Sequence, residues 1–147
     1  MVLGLGDTGL SMARWLARRG AGVRVADSRS APPHAATLAS ELPQVPLATG
    51  AFDAGTLRGA DVIAISPGLD RRVPPVSDAI KRGVPVVGDV ELFAQALKSS
   101  ITHHPSPVTP KVIAITGSNG KSTVTAMTGE ILRAAGRRAV VGGNIGT

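Results

Sequence analysis

Gly4-Leu5-Gly6-Asp7-Thr8-Gly9 is a G-x-G-x-x-G pattern that follows the short apolar run Met1-Val2-Leu3 at once. Its neighbours give the pattern its meaning. Leu10, Ala13, Leu16 and Ala17 recur behind it at helical spacing. Arg18 and Arg19 stand where cations favour a helix end, and Gly20 is placed to stop the helix. Val23 and Val25 then read as a second strand ending at Asp27, eighteen residues after Gly9. Strand, glycine turn, helix, strand and terminal acid are the parts of a dinucleotide-type fold, whose glycines allow a tight turn and close approach of backbone to phosphate. Asp27 carries two readings at this point. It can accept from a ribose hydroxyl, or it can cap the turn Asp27-Ser28-Arg29-Ser30.

Outward from that unit the alternation of strand and helix continues. Residues 31–60 are rich in Pro and Ala, with a helix expected near 34–42 and a short strand near 46–49. His34 has no partner at metal-ligand spacing and reads as a surface residue. Residues 61–65 form a buried strand, and Ser66-Pro67-Gly68 ends it in a turn where open α/β sheets place ligands. A helix over 76–82, closed by Gly83, and a strand over 84–87 add another β-α-β step. The next helix, 88–97, is expected to bury Val90, Phe93, Ala94 and Leu97, with Asp89 as its cap and Glu91 in solvent. Residues 98–110, rich in Ser, Thr, His and Pro, read as an interdomain linker in which His103 and His104 face solvent.

A second glycine-rich stretch, Thr116-Gly117-Ser118-Asn119-Gly120-Lys121-Ser122-Thr123, follows the apolar run Val112-Ile113-Ala114-Ile115. A strand that enters a helix through such a turn leaves unpaired N–H groups at the helix start, where the dipole adds positive potential. Lys121 adds a mobile ammonium and Ser122 a hydroxyl able to ligate Mg²⁺. The loop is shorter than the common Walker form, because Ile115 stands where that form has its first Gly. Val124, Met127, Ile131 and Ala134 or Ala135 define the expected core face of the following helix, so Met127 is packing and Glu130 a solvated residue. Residues 139–141 begin another strand before the turn Gly142-Gly143-Asn144-Ile145-Gly146.

The expected fold is therefore α/β: a Rossmann-like parallel-sheet domain over 1–97, the linker, and over 111–147 the truncated start of a P-loop ATPase-like central domain. A complete P-loop domain needs further strands and an acidic metal ligand. The 147 residues thus read as an N-terminal piece of a longer protein.

Composition narrows the partners. The net charge of +6 comes from twelve Arg and four Lys against 10 acids, which raises nucleic acid as a ligand. The Arg residues are dispersed, however, and Phe52, Phe93 and Trp15 are the only aromatics available to stack on bases. Polyphosphate ligands account for the charge better than nucleic acid does. The chain has no Cys, in keeping with a cytoplasmic protein, and no apolar run of membrane-spanning length or secretory signal.

Several stretches together resemble the Mur ligases: Gly4 to Ser11, Asp27-Ser28-Arg29, Ser66-Pro67-Gly68, Gly88 to Phe93, Thr116 to Thr125 and Gly142 to Gly146. The shortened loop with Asn119 is what that family carries. The resemblance, nearest to the D-glutamate-adding branch, implies ATP-dependent addition of D-glutamate to UDP-N-acetylmuramoyl-L-alanine through an acyl phosphate. It implies that the first domain holds UDP-muramoyl-alanine through Asp7, Thr8, Asp27, Ser28, Arg29, Ser66, Pro67 and Gly68, with Asn144 a further substrate contact. Gly117, Ser118, Asn119, Gly120, Lys121, Ser122 and Thr123 would bind ATP, Lys121 acting in catalysis and Ser122 on Mg²⁺. The whole protein would be a monomer in the cytoplasm, and the 147 residues alone inactive. The rival expectations are an NAD-linked dehydrogenase, which leaves the second loop unexplained, and a nucleotide-binding module without turnover.

Overall fold

The computed structural model describes residues 1–103 and 110–143. It divides into two compact units, Met1–His104 and Pro105–Thr147. In the first unit the elements run β1 (Val2–Leu3), α1 (Asp7–Arg18), β2 (Val25–Asp27), α2 (Ala35–Glu41), β3 (Leu47–Thr49), β4 (Ile63–Ile65), α3 (Pro74–Lys81), β5 (Val86–Val87) and α4 (Asp89–His103). All five strands are parallel in the order β3-β2-β1-β4-β5, with Val2 beside Val25 on one flank and Ala64 on the other. This is the order of a doubly wound sheet.

Successive side chains point to opposite sides of a sheet. Accordingly Val2, Val25, Ala64 and Val87 pack with Leu10, Met12, Ala13 and Leu38 on one face, while Leu3, Ala26, Ile63 and Ile65 pack with Val76 and Ala79 on the other. The residues of β1, β2 and β4 are all buried, as expected of parallel strands covered by helices on both sides. Each such Leu, Ile or Val contributes about 1.5–3 kcal/mol by leaving water. Edge strand β3 is correspondingly more exposed.

The alternation of elements read from the sequence is present, with two corrections in this unit. Helix α4 continues through His103, so residues 98–103 are helical where a linker was expected. Its buried face is also displaced: Leu92 is 8% exposed, whereas Val90 and Phe93 are 74% and 56% exposed. Apolar residues occupy both sides of this helix, so periodicity alone did not select the face that meets the sheet.

The second unit contains helix α5 (Lys121–Ala134). Its described residues form no strand, although 112–115 and 139–141 were expected to. A strand is defined by its ladder partner, and neither segment has one among the described residues. Val124, Met127 and Ile131, expected in a core, are half or more exposed here. The expected contact residue Asn144 lies outside the described residues.

Candidate functional site

Strand β1 ends in the first glycine turn, and two glycines make that turn possible. Gly4 has φ +87, and a Cβ at Gly9 would lie 1.7 Å from the Gly4 carbonyl oxygen. The first turn of α1 therefore rests directly on the end of β1. Gly6 is the N-cap, and no side chain caps the helix. The Leu10 N–H bonds back to the Gly6 carbonyl. The N–H groups of Asp7, Thr8 and Gly9 precede that bond, at the positive end of the helix.

Two neighbouring strand ends close around this turn. The Ser66 N–H donates to the Leu3 carbonyl and the Ser66 hydroxyl to the Gly4 carbonyl, at 2.9 Å and 3.3 Å. Ser66-Pro67-Gly68 thus lies beside the glycine turn, on the side of β1 where the sheet order reverses. That crevice is where open α/β sheets bind ligands. On the other side Asp27, only 2% exposed, accepts the Leu5 N–H through Oδ2 at 2.6 Å. Arg29 donates its backbone N–H and Nε to Oδ1, each at 2.8 Å, and Nη2 to Oδ2 at 2.6 Å. Asp7, Thr8, Asp27, Ser28, Arg29, Ser66, Pro67 and Gly68 thus converge at the carboxyl end of one sheet.

The bonding of Asp27 bears on its two readings. Four donors fill the roughly four acceptor positions of a carboxylate. The Arg29 guanidinium, foremost, and the two backbone N–H groups hold its carboxyl well below the usual carboxylate range. Asp27 here fixes the turn and Arg29, and Arg29 keeps half of its side chain in solvent beside the crevice.

His34 lies at the surface without a metal-ligand cluster among the described residues, but it has a hydrogen-bond partner that its spacing does not announce. Its side chain is 28% exposed, and Nε2 lies 2.7 Å from Oδ1 of Asp7. The two residues are 27 apart in the chain, so no local spacing signals the pair. A cavity of about 290 Å³ lined by Ala54, Leu57, Arg58, Gly59, Ala60, Arg82 and Val84 holds none of the expected site residues. It precedes β4 and β5, at the opposite end of those strands.

The second unit carries the other glycine turn. Gly120, with φ +72, takes the left-handed conformation at the N-cap of α5, which a side chain would strain. Lys121 folds back over the turn, donating from Nζ to the Gly117 and Ser118 carbonyls at 2.6 Å and 3.1 Å. Gly117, Ser118, Asn119, Gly120, Lys121, Ser122 and Thr123 are all exposed. The Val124 N–H closes on the Gly120 carbonyl, so the N–H groups of residues 121–123 precede the first helical bond. Among the described residues no group of three or more His, Cys, Asp or Glu could hold a metal. No helix of the described residues is long and apolar enough to cross a membrane.

Comparison with known proteins adds to this geometry. The family model described as Mur ligase MurD-like, N-terminal domain, matches residues 1–88. The chain is 58% identical over 150 residues to a UDP-N-acetylmuramoylalanine–D-glutamate ligase of Thiobacillus denitrificans, covering 99% of the chain and 32% of that protein. It is 54% identical to the enzyme of the same name from Methylobacillus flagellatus, covering 99% of the chain and 30% of the relative. The chain thus spans about a third of the length of these curated relatives. Among solved structures, a murein peptide ligase of Psychrobacter arcticus superposes with a TM-score of 0.59 at 23% identity, over 92% of this chain and 26% of its own. The UDP-N-acetylmuramate-alanine ligase of Thermotoga maritima gives 0.57 at 22%, over 91% and 29%. At these identities the likeness is one of fold.

Proposed function

The chain belongs to the Mur ligase family, with a MurD-like N-terminal domain, and we propose the function that this membership implies. The protein adds D-glutamate to UDP-N-acetylmuramoyl-L-alanine in the cytoplasm, at the expense of ATP, during peptidoglycan precursor synthesis. The carrying observation is the 58% identity to a ligase of that name over 99% of the chain. Two helix-start glycine turns of different construction are consistent with two phosphate-bearing substrates.

In this reading the crevice of the first unit takes the UDP moiety. The N–H groups at the start of α1 face the diphosphate, while Ser28, Arg29 and the Ser66–Gly68 turn flank the nucleoside, and Asn144 is a further contact. The filled acceptor positions of Asp27 favour this over an NAD site, where the corresponding acid must accept from a ribose hydroxyl. The second turn, Gly117 to Thr123, takes the phosphates of ATP.

The substrate carboxylate oxygen bonds to the γ-phosphorus as the bond to the ADP oxygen breaks, giving an acyl phosphate. The amine of D-glutamate then attacks the acyl carbon, loses a proton and expels inorganic phosphate. Lys121, held over the turn by two carbonyls, exchanges them for phosphate oxygens and offsets charge that grows in the transition state. Ser122 would offer a hydroxyl to Mg²⁺, which when bound would supply Lewis-acid neutralisation of phosphate charge.

Titration of this chain with UDP and with NADH separates the two nucleotide readings. UDP is expected to bind and NADH to compete poorly; the reverse order would overturn the assignment of the first unit. In the whole protein, phosphate release must require both UDP-N-acetylmuramoyl-L-alanine and D-glutamate.

A further inference from the structure

Asp7 presents a difficulty for any anion in the first glycine turn. It is the first residue of α1, its side chain is 90% exposed, and the N–H groups beside it are the ones a diphosphate would use. A free carboxylate at that place would compete for the same positive helix end and repel the ligand. The structure gives it a partner from the segment between β2 and α2. His34 sits at the N-cap of α2, where its carbonyl accepts the Leu38 N–H at 2.8 Å. Pro32, two residues earlier, is buried, and its carbonyl accepts the Ala35 N–H, closing a turn that contains His34. From there Nε2 reaches Oδ1 of Asp7 at 2.7 Å.

We propose that His34 is a positioning residue for phosphate recognition. Its bond to Oδ1 turns the Asp7 carboxylate towards the β2–α2 segment and away from the N–H groups at the start of α1, leaving those groups to a nucleoside diphosphate. The same bond ties the glycine turn to the segment that carries Arg29. The inference rests on the reading that the first unit binds UDP. It assigns His34 to the binding apparatus although His34 itself touches no ligand.

The test is calorimetric or ligand-observed NMR titration of the 147-residue chain with UDP and, separately, with uridine. His34→Ala is expected to weaken UDP about fivefold, since a partly exposed charge couples modestly, and to leave uridine unchanged. Raising the salt from low to about 0.5 M should shrink the difference, because the repulsion is screened. The double variant His34→Ala/Asp7→Asn should recover UDP binding, since it removes the unlatched charge. Uridine binding also reports that the variant is folded. Equal loss of UDP and uridine in His34→Ala, or a double variant as weak as the single one, overturns the inference by making His34 a support of the fold. Wild-type chain that binds uridine and UDP equally overturns it too, and wild-type chain that binds neither overturns the UDP reading itself.

Discussion

Replacing Gly9 by Ala tests the close approach on which the first site is built. In most helices this substitution stabilises, by up to about 1 kcal/mol, because Ala loses less backbone entropy on folding. Here the added Cβ would lie 1.7 Å from the Gly4 carbonyl oxygen and 2.8 Å from its carbon, both backbone atoms that cannot swing aside. Restoring an ordinary contact of about 3.5 Å requires α1 and β1 to separate by more than about 1.5 Å. Helix α1 holds Leu10, Met12 and Ala13 against the sheet at 3% exposure or less, and a gap of that width forfeits much of their dispersion contact. Overpacking of this kind costs about 1–3 kcal/mol, so once the helix gain of up to about 1 kcal/mol is deducted the net destabilisation is about 1 kcal/mol and at most about 2 kcal/mol. Trp15, the only Trp and itself on α1, reports the unfolding of this unit by fluorescence during a urea titration. Gly6→Ala is the control, because nothing lies within 4 Å of its added Cβ. It should cost less than about 1 kcal/mol, the loss of a modest N-cap preference. A Gly9→Ala midpoint at or above that of the wild type would refute the argument, since α1 would then not rest on the Gly4 carbonyl.

Two other substitutions probe the remaining chemistry. Asp27→Asn should destabilise the first unit by about 2 kcal/mol at pH 7, because it leaves the Leu5 N–H and Arg29 with a poorer acceptor. A carboxyl held below its unfolded value near 3.9 contributes stability that is complete above that value and lost as pH falls through the folded one. Urea midpoints of the wild type should therefore decline below about pH 4, and those of Asp27→Asn more gently; parallel declines would count against the clamp. Lys121→Ala in the whole ligase should lower turnover by at least about a hundredfold while UDP affinity is unchanged. Equal loss of both would sink the assignment of two substrates to two units.

The parts of the first unit that could be read in advance are those whose signal is local. Gly4, Gly6 and Gly9, the helical spacing of Leu10 and Ala13, and the acid at Asp27 each constrain the backbone within a few residues, and their elements are present. The buried run around Ile63–Ile65 was legible for the same reason. What failed depends on partners remote in sequence. Val90 and Phe93 were expected inside because they share a helical face, yet Leu92 on another face meets the sheet. The apolar residues 112–115 read as a strand, but a strand needs a neighbour and they have none among the described residues. The bond of His34 to Asp7 has no local signal either, because the two meet only when α1 and α2 are brought together, as the Arg14–Glu41 pair also shows.

The two glycine turns share one physical device and differ in what surrounds it. Both offer unpaired N–H groups at a helix start, which suits phosphate. In the first, the nearest charged side chain is the carboxylate of Asp7, held by His34, and the cation of the crevice, Arg29, is fixed by the buried Asp27. Such an arrangement suits an anion whose charge does not change. In the second, the residue after the left-handed Gly120 is Lys121, whose ammonium donates to two loop carbonyls that a phosphate oxygen could replace. A reaction that builds negative charge during phosphoryl transfer needs that mobile cation, and a substrate anchor does not. The contrast between a carboxylate paired with His34 and an ammonium set on the turn itself supports giving UDP to the first turn and ATP to the second.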